Sequence, residues 1–385
     1  MMDMETDATS LALARANAKL TVSLLLHLAD RQPTENIFVS PVSIALALSV
    51  LALGADSESR RLLEQGLGVS GLSRQDADAA LGTMASRLET GGARPPFQFA
   101  NALWMNEDAP LNPAYQALAR HILRAEAKAL DLTAPASINA INKWTNAATR
   151  GRIPQMLDHG QLTSQTCAVL TSAAHFAAEW ACPFEISDTR PGKFTDATDT
   201  RRIVPMMSRR GRITSFSDDR MQAFALPYQG GRFQWCCFLP ERKRGMEGFL
   251  DNLSHGTWIE SVMSMDSDGQ ASEIELEMPR FTISCDATLK PWLDDAGLGR
   301  LLKPSDDFAM MGIDGVWLEE VRHKTYLLVD ELKTEAAAIT DVEMNLCSHP
   351  ELSRIVLDRP FVCAIVDTIT GLTLFAGIVN APEAA

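Results

Sequence analysis

The chain has 385 residues, of which 46% are hydrophobic and 22% charged, enough for a large buried core and too little polarity for a disordered chain. That length admits one large domain or two to three ordinary ones. A formal net charge of −14 is the wrong sign for a surface that neutralises phosphates, so no nucleic-acid partner is expected.

The basic clusters Arg209, Arg210, Arg212 and Arg242, Lys243, Arg244 read as solvated loop charges. The seven cysteines form no C-x-x-C pair and have no histidine spacing suited to zinc, so no metal or cofactor is expected. Cys236 and Cys237 are adjacent within an apolar run, which favours buried thiols over a disulfide. The N-terminus lacks a basic stretch followed by a long apolar one, and the apolar run Leu20 to Leu28 is short. No stretch reaches the ~18 apolar residues of a membrane span. The expectation is a cytoplasmic chain with no membrane partner, or a secreted one if the N-terminus has been trimmed.

In chain order, apolar positions at helical spacing predict a helix over Asp7 to Ala29. Ser40-Pro41 opens a second, Val42 to Leu53, in the cap-then-proline arrangement of a helix start, and Gly54 ends it. Shorter helices follow to about Arg150, among them Ile138 to Thr149. The pattern then changes. Cys167 to Phe176, Ala223 to Leu226, Arg232 to Leu239, Ile274 to Ile283, Thr325 to Asp330, Phe361 to Asp367 and Leu372 to Val379 read as strands. Thr368 to Gly371 fits a hairpin turn between the last two. Helices first and strands later predict an α+β fold.

Between Asp330 and Arg354 no helix or turn signal punctuates the chain, and a loop that long inside a domain is normally functional or disordered. Lys333 to Leu346 has a period of two. Thr334, Ala336, Ala338, Thr340, Val342, Met344 and Leu346 are small or apolar, and the intervening phase carries every charge. This suits a strand with one buried and one wet face. Ala336-Ala337-Ala338 and the acidic residues make it a poor free-standing strand, so it reads as a segment able to become one when a sheet accepts it. An amphipathic helix fits less well. It would put Lys333, Ala337 and Asp341 on one face and scatter Thr334 and Met344.

Several motifs together resemble the serpin family. These are Asn36 to Ile44; Asn101-Ala102-Leu103-Trp104; Ile141-Asn142-Lys143-Trp144 with Thr149 to Ile153; Phe176 to Phe184; Asp330-Glu331 with Thr334 to Ala337; Asp358-Arg359-Pro360-Phe361; and Phe375-Ala376-Gly377. The resemblance implies one domain over 1–385, three β-sheets, eight or nine helices and a reactive-centre loop over about 332–353. It also implies a protease inhibitor that is not an enzyme, acting as a monomeric suicide substrate. The target protease cuts the loop and forms an acyl-enzyme. The cut loop then enters the main sheet and carries the protease with it. Roughly a dozen new ladder bonds at ~0.5–1.5 kcal/mol each would drive that step. Burial of Val342 and Met344 would add ~1.5–3 kcal/mol each.

By position, Ser40, Ser43, Ser172 and His323 match the family's shutter, the polar cluster under the sheet centre. Asn is common in the family where Ser172 stands, which suggests a shorter network here. Trp180 matches the breach, where insertion begins. The hinge comprises Glu331, Lys333, Thr334, Glu335, Ala336, Ala337 and Ala338. It departs from the family at Lys333, where glycine is usual, and bulky or charged hinges mark non-inhibitory members. Lys333 falls on the wet phase, however, and Thr334 with Ala336 to Ala338 remains inhibitor-like.

Family spacing counts seventeen positions inclusive from Glu331 to the residue before the scissile bond, which puts the bond at Cys347-Ser348. Met344, Asn345, Leu346 and Cys347 would then meet the protease. Cys347 suits an elastase- or chymotrypsin-like serine protease, and Leu346 suits a papain-like cysteine protease. Neither a trypsin-like protease nor a caspase is expected. A cut after Leu346 is the neighbouring alternative, and an exposed Cys347 would be a redox-sensitive thiol.

No G-x-S-x-G elbow, H-E-x-x-H pair or phosphate loop supports an enzyme. Asp266-Ser267-Asp268-Gly269 lacks the other ligands of a calcium loop. Asp76 to Glu89 is not basic, so glycosaminoglycan activation is not indicated. The rival reading is a non-inhibitory serpin that acts as a chaperone or carrier.

Overall fold

A computed structural model of the chain describes residues 2–88, 95–109, 111–243, 245–253, 271–312, 315–334 and 353–383. Among them the helices are α1 (Met2–Arg31), α2 (Pro41–Gly54), α3 (Ser57–Leu67), α4 (Arg74–Leu88), α5 (Pro113–Leu123), α6 (Pro135–Ala148), α7 (Gly245–Leu253) and α8 (Lys290–Asp295). The strands before residue 200 are β1 (Ile37–Val39), β2 (Phe97–Asn106), β3 (Glu126–Leu130), β4 (Ala168–Phe176), β5 (Ala178–Glu179) and β6 (Arg190–Thr195). Then come β7 (Arg201–Ser217), β8 (Met221–Pro227), β9 (Phe233–Pro240), β10 (Ala271–Pro279), β11 (Phe281–Thr288) and β12 (Leu318–Val329). Last are β13 (Lys333–Thr334), β14 (Ser353–Val356), β15 (Phe361–Asp367) and β16 (Leu372–Val379). The chain is α+β, as its motif order predicts.

Its residues gather into two compact units, each assembled from three separate stretches. The first holds Met1–Leu24, Val39–Phe176 and Cys285–Tyr326; the second holds Leu25–Phe38, Ala177–Ser284 and Leu327–Ala385.

In the first unit the sheet has the order β11-β12-β4-β2-β3. Its centre is β4, antiparallel to β2 and parallel to β12. Every residue of β4 is buried, because helices cover both faces. On one face α6 packs Ile138 and Ile141 over Trp104, Val169 and Ala173. On the other lies α2, whose fourteen residues are all buried and which is apolar all round, as a core helix must be. Its N-cap is Ser40, whose side chain accepts from the Ser43 amide, and Pro41 fills the first turn where no donor is missed.

In the second unit a nine-stranded sheet runs β1-β16-β15-β9-β8-β7-β10-β14, with β6 against β7. Phe38 of β1 stacks on Phe375 of β16 at 4.9 Å. Gly377 is required there, because a β-carbon would land inside the contact shell of the Ile37 carbonyl oxygen and the Phe38 ring. The Asn36 side chain clasps the segment that follows β16. It accepts from the amides of Asn380 (2.8 Å) and Ala381 (2.9 Å) and donates to the Ala381 carbonyl (2.7 Å).

Three sequence expectations need correction. Ile274 to Ile283 is two strands, broken where Pro279 ends β10 and Arg280 turns the chain into β11. Thr325 to Asp330 is only the end of a twelve-residue strand, β12. Arg209, Arg210 and Arg212 are not loop charges but lie on β7, where Arg210 faces Glu275 and Arg212 faces Glu273 across the pair with β10. Opposite charges across strands make such a charged strand tenable. Cys236 and Cys237 are buried in β9, as expected.

Candidate functional site

Two constellations gather the described site residues. The first lies where α2 meets β4, β2 and β12. The pleat puts Ser172 of β4 directly beside His323 of β12 in the parallel register. The Ser40 amide donates to His323 Nε2 at 2.9 Å. An amide can only donate, so Nε2 carries no proton, and in the neutral ring Nδ1–H donates to Ser172 Oγ at 3.0 Å. Ser172 Oγ lies 3.0 Å from Ser43 Oγ, which donates to Asn101 Oδ1 at 3.1 Å. Asn101 Nδ2 returns to the Ser43 carbonyl at 3.1 Å. With the imidazole as donor, the protons run in one direction from His323 to Asn101.

All five side chains are buried, and burial pushes the His323 imidazole down to about 3, opposed by its bond at Ser172 and the charge of Asp286. A proton on Nε2 would confront the Ser40 N–H. The cluster thus pins β4 to β12 only while the ring is neutral. Ser40, Ser43, Ser172 and His323, the four residues matched to the shutter by resemblance, lie within one hydrogen-bonded cluster. Asn101, which stands in the Asn101-Ala102-Leu103-Trp104 motif but was not assigned to this cluster, completes the network.

The second constellation lies in the second unit, around Trp180. Its indole stacks on Tyr228 at 4.6 Å and 10° and meets Trp235 edge-on at 6.2 Å. Its Nε1 donates to the Asp330 carbonyl at 2.9 Å, and its amide to the Leu332 carbonyl at 3.3 Å. The Glu331 carbonyl accepts from the Phe184 amide at 2.7 Å. The Glu331 side chain is buried. It accepts from Thr189 Oγ1 at 2.7 Å and sits 3.4 Å from Arg280 Nη1. Beyond this anchor the chain doubles back, and Lys333 and Thr334 pair antiparallel with Glu179 and Ala178. Sequence reasoning did not find Tyr228, Thr189 or Arg280, which only the fold brings to Trp180 and Glu331.

Glu335, Ala336, Ala337 and Ala338 of the hinge lie outside the described residues, as do Met344, Asn345, Leu346, Cys347 and Ser348 of the reactive centre. Among the described residues no group of three or more His, Cys, Asp or Glu side chains could hold a metal ion. No described helix is long and apolar enough to cross a membrane.

This α+β architecture, with a five-stranded sheet over a buried helix in one unit and a nine-stranded sheet in the other, recurs in known proteins. Residues 15–382 match the family model described as serpin (serine protease inhibitor). Serine protease inhibitor 42Dd of Drosophila melanogaster is 28% identical over 361 residues, covering 92% of this chain and 94% of that one. Leukocyte elastase inhibitor A of Mus musculus is 27% identical over 379 residues, covering 96% and 99%. Human thyroxine-binding globulin, solved in complex with its hormone, shares the fold at a TM-score of 0.87 and 24% identity over 97% of this chain and 100% of that one. The chain belongs to the serpin family. Members are mostly protease inhibitors rather than catalysts, act on target proteases and change conformation, and the family also includes hormone carriers.

Proposed function

We propose that this serpin traps a protease as a suicide substrate, with 332–353 as the reactive-centre loop and Cys347-Ser348 as the scissile bond. The observation that carries this reading is the strand pairing that the chain makes just after β4 and β12. β4 and β12 pair in parallel up to His175 and Tyr326. A few residues further along each chain, Lys333 and Thr334 have reversed and pair antiparallel with Glu179 and Ala178. A chain that turns back directly after β12 to enter between β4 and β12 would run antiparallel to both, and Lys333 and Thr334 run antiparallel to β5, the strand that follows β4 in sequence. Counting the same register down β4 sets Thr340 opposite Ser172, so the hydroxyls of the buried phase would arrive at the hydroxyl cluster. The new ladder is worth ~0.5–1.5 kcal/mol per bond, against a cluster of five side chains that must re-pair.

Cys347 and Leu346 favour an elastase- or chymotrypsin-like serine protease or a papain-like cysteine protease as partner. The carrier reading is favoured by Lys333 alone, and Lys333 tolerates the strand pairing that insertion begins with. The test is incubation with chymotrypsin, elastase and cathepsin panels, followed by denaturing gels and mass spectrometry of the cut. A covalent complex is expected. Cleavage of the loop with no complex for any protease would overturn inhibition and favour the carrier.

A further inference from the structure

We propose that Cys237 and Cys363 form a cross-strand disulfide when the chain folds in the presence of a small-molecule disulfide, and stay a dithiol when it folds without one. Cys237 lies on β9 and Cys363 on β15, directly opposite one another in the antiparallel register. Residues opposed in this way share one face of the sheet. Cys236, next to Cys237 in the chain, points to the other face and stands opposite Ala364. Both Cys237 and Cys363 are free thiols in this structure.

The ladder sets how close the pair stands. The Tyr228 amide donates to the Phe233 carbonyl at 2.9 Å, so these opposed residues are a hydrogen-bonded pair in the register of β8 and β9. Such pairs recur every second residue, which makes Phe224 and Cys237 another. The Cys237 amide and carbonyl therefore point to β8 and away from β15. The Thr368 amide, which donates to the Arg232 carbonyl at 2.9 Å, gives the same phase from the β15 side. Cys237 and Cys363 are thus a non-hydrogen-bonded pair, the closer of the two kinds, with Cα atoms about 4.5 Å apart. A disulfide spans Cα separations of ~4.4–6.8 Å.

In the folded chain the pair is sealed. Both residues are 0% exposed. Burial pushes both thiols up, and at Cys237 the neighbouring Cys363 and Cys236 push further. A thiol with neither thiolate character nor access does not attack a disulfide. The reaction is therefore confined to chains in which β15 has not yet docked on β9. There the thiolate of one cysteine attacks a sulfur of oxidised glutathione and expels one glutathione thiolate. The thiolate of the other cysteine attacks the mixed disulfide at the protein sulfur and expels the second glutathione. Two protein thiols give up two protons and two electrons, and one glutathione disulfide becomes two thiols. Once β15 docks, burial protects either state, so the folded chain keeps the redox condition of its folding. The closed loop is on the order of 100 residues long, the regime in which a crosslink restricts the unfolded chain most.

The test unfolds the full reduced chain in urea and refolds it with reduced glutathione alone or with a mixture of reduced and oxidised glutathione. Peptide mapping without reductant reads the linkage, and urea unfolding reads stability. The mixture should give a linked Cys237–Cys363 peptide as the main crosslink, and an unfolding constant lower than that of the dithiol form by ~30-fold or more. Native dithiol protein held in the same mixture should stay unlinked. Cys236→Ala should keep the linked peptide, and Cys363→Ala should lose both it and the added stability. Cell-free synthesis in the two glutathione conditions repeats the mapping without a refolding step and should give the same linked peptide. Absence of that peptide under oxidising conditions, linkage as fast in the native protein as in the refolding chain, or a crosslinked form no more stable than the dithiol would each overturn the proposal.

Discussion

The Ser40 amide, 283 residues from His323 in the chain, donates to that imidazole at 2.9 Å and so fixes which ring nitrogen can hold a proton. The bond has a pH consequence. His323 titrates near 6.5 unfolded and about 3 folded. Below pH 6.5 the unfolded state binds the proton and the native state does not. Stability is therefore full above 6.5 and falls by ~1.4 kcal/mol per pH unit per such group as pH drops toward 3. His175, held at about 4, acts over much of the same window. Asp196, held well below the usual carboxylate range chiefly by Thr198, and Asp307, held there chiefly by Arg300, lose their contributions only below 3.8. Urea midpoints between pH 7 and 4.5 should fall steadily, and His323→Asn should remove a large part of the slope. A slope unchanged in that variant would show that the ring is not buried neutral.

Loop insertion should raise stability. After a verified nick between Ala338 and Ser348, the melting temperature is expected to rise by tens of degrees, given ~0.5–1.5 kcal/mol per inserted bond. Calorimetry before and after nicking checks this, and an unchanged melting curve would exclude insertion.

Thr334 pairs with Ala178 at the start of the proposed new strand and belongs to its buried phase. Thr334→Arg would place an unpaired charge there, which is strongly disfavoured. The variant should still be cut but should turn from inhibitor to substrate. Wild-type stoichiometry of complex formation on gels would show that the register is wrong.

The position of the scissile bond rests on counting from Glu331. Cys347→Arg should create a trypsin inhibitor, because a carboxylate-lined pocket gains a charge-assisted bond. Leu346→Arg is its control. If only the Leu346 variant traps trypsin, as read by complex formation and mapping of the cut, the bond lies one residue earlier.

Gly377 offers a test in the second unit. Gly377→Ala drives a methyl into the Ile37 carbonyl and the Phe38 ring, backbone and core atoms that cannot swing aside. Overpacking of this kind costs ~1–3 kcal/mol. Chemical denaturation should show a loss in that range, with a correspondingly lower midpoint.

The sequence was most legible where local chemistry and final structure agree. Ser40-Pro41 opens a helix wherever that helix is packed, and the short apolar runs Phe361–Asp367 and Leu372–Val379, parted by a turn, set both strands to the residue. It was least legible where a partner arrives from elsewhere. β7 carries five arginines and reads as a loop until Glu273 and Glu275 lie across from two of them. The strand break at Pro279 is hidden because apolar alternation continues on both sides of it. The cluster at His323 was found by resemblance, but the part Asn101 plays in it depends on α2 crossing β2, since β2 also carries the amides Gln98 and Asn106. Glu331 was marked as a hinge residue, yet its burial against Thr189 and Arg280 depends on two distant loops.

The clasp between Asn36 and Asn380 also bears on how the molecule is made. The strand order β1-β16-β15-β9 places β15 and β16, which follow every other described strand in the chain, between earlier ones. A nascent chain that has not yet released residue 381 has no partner for β1 and no neighbour for one side of β9. The larger sheet therefore cannot grow progressively as the polypeptide emerges. It must wait for β15 and β16 to emerge and close the gap between β1 and β9. Synthesis past residue 381 thus decides when this sheet becomes whole, and a stop codon before that point would affect the entire second unit.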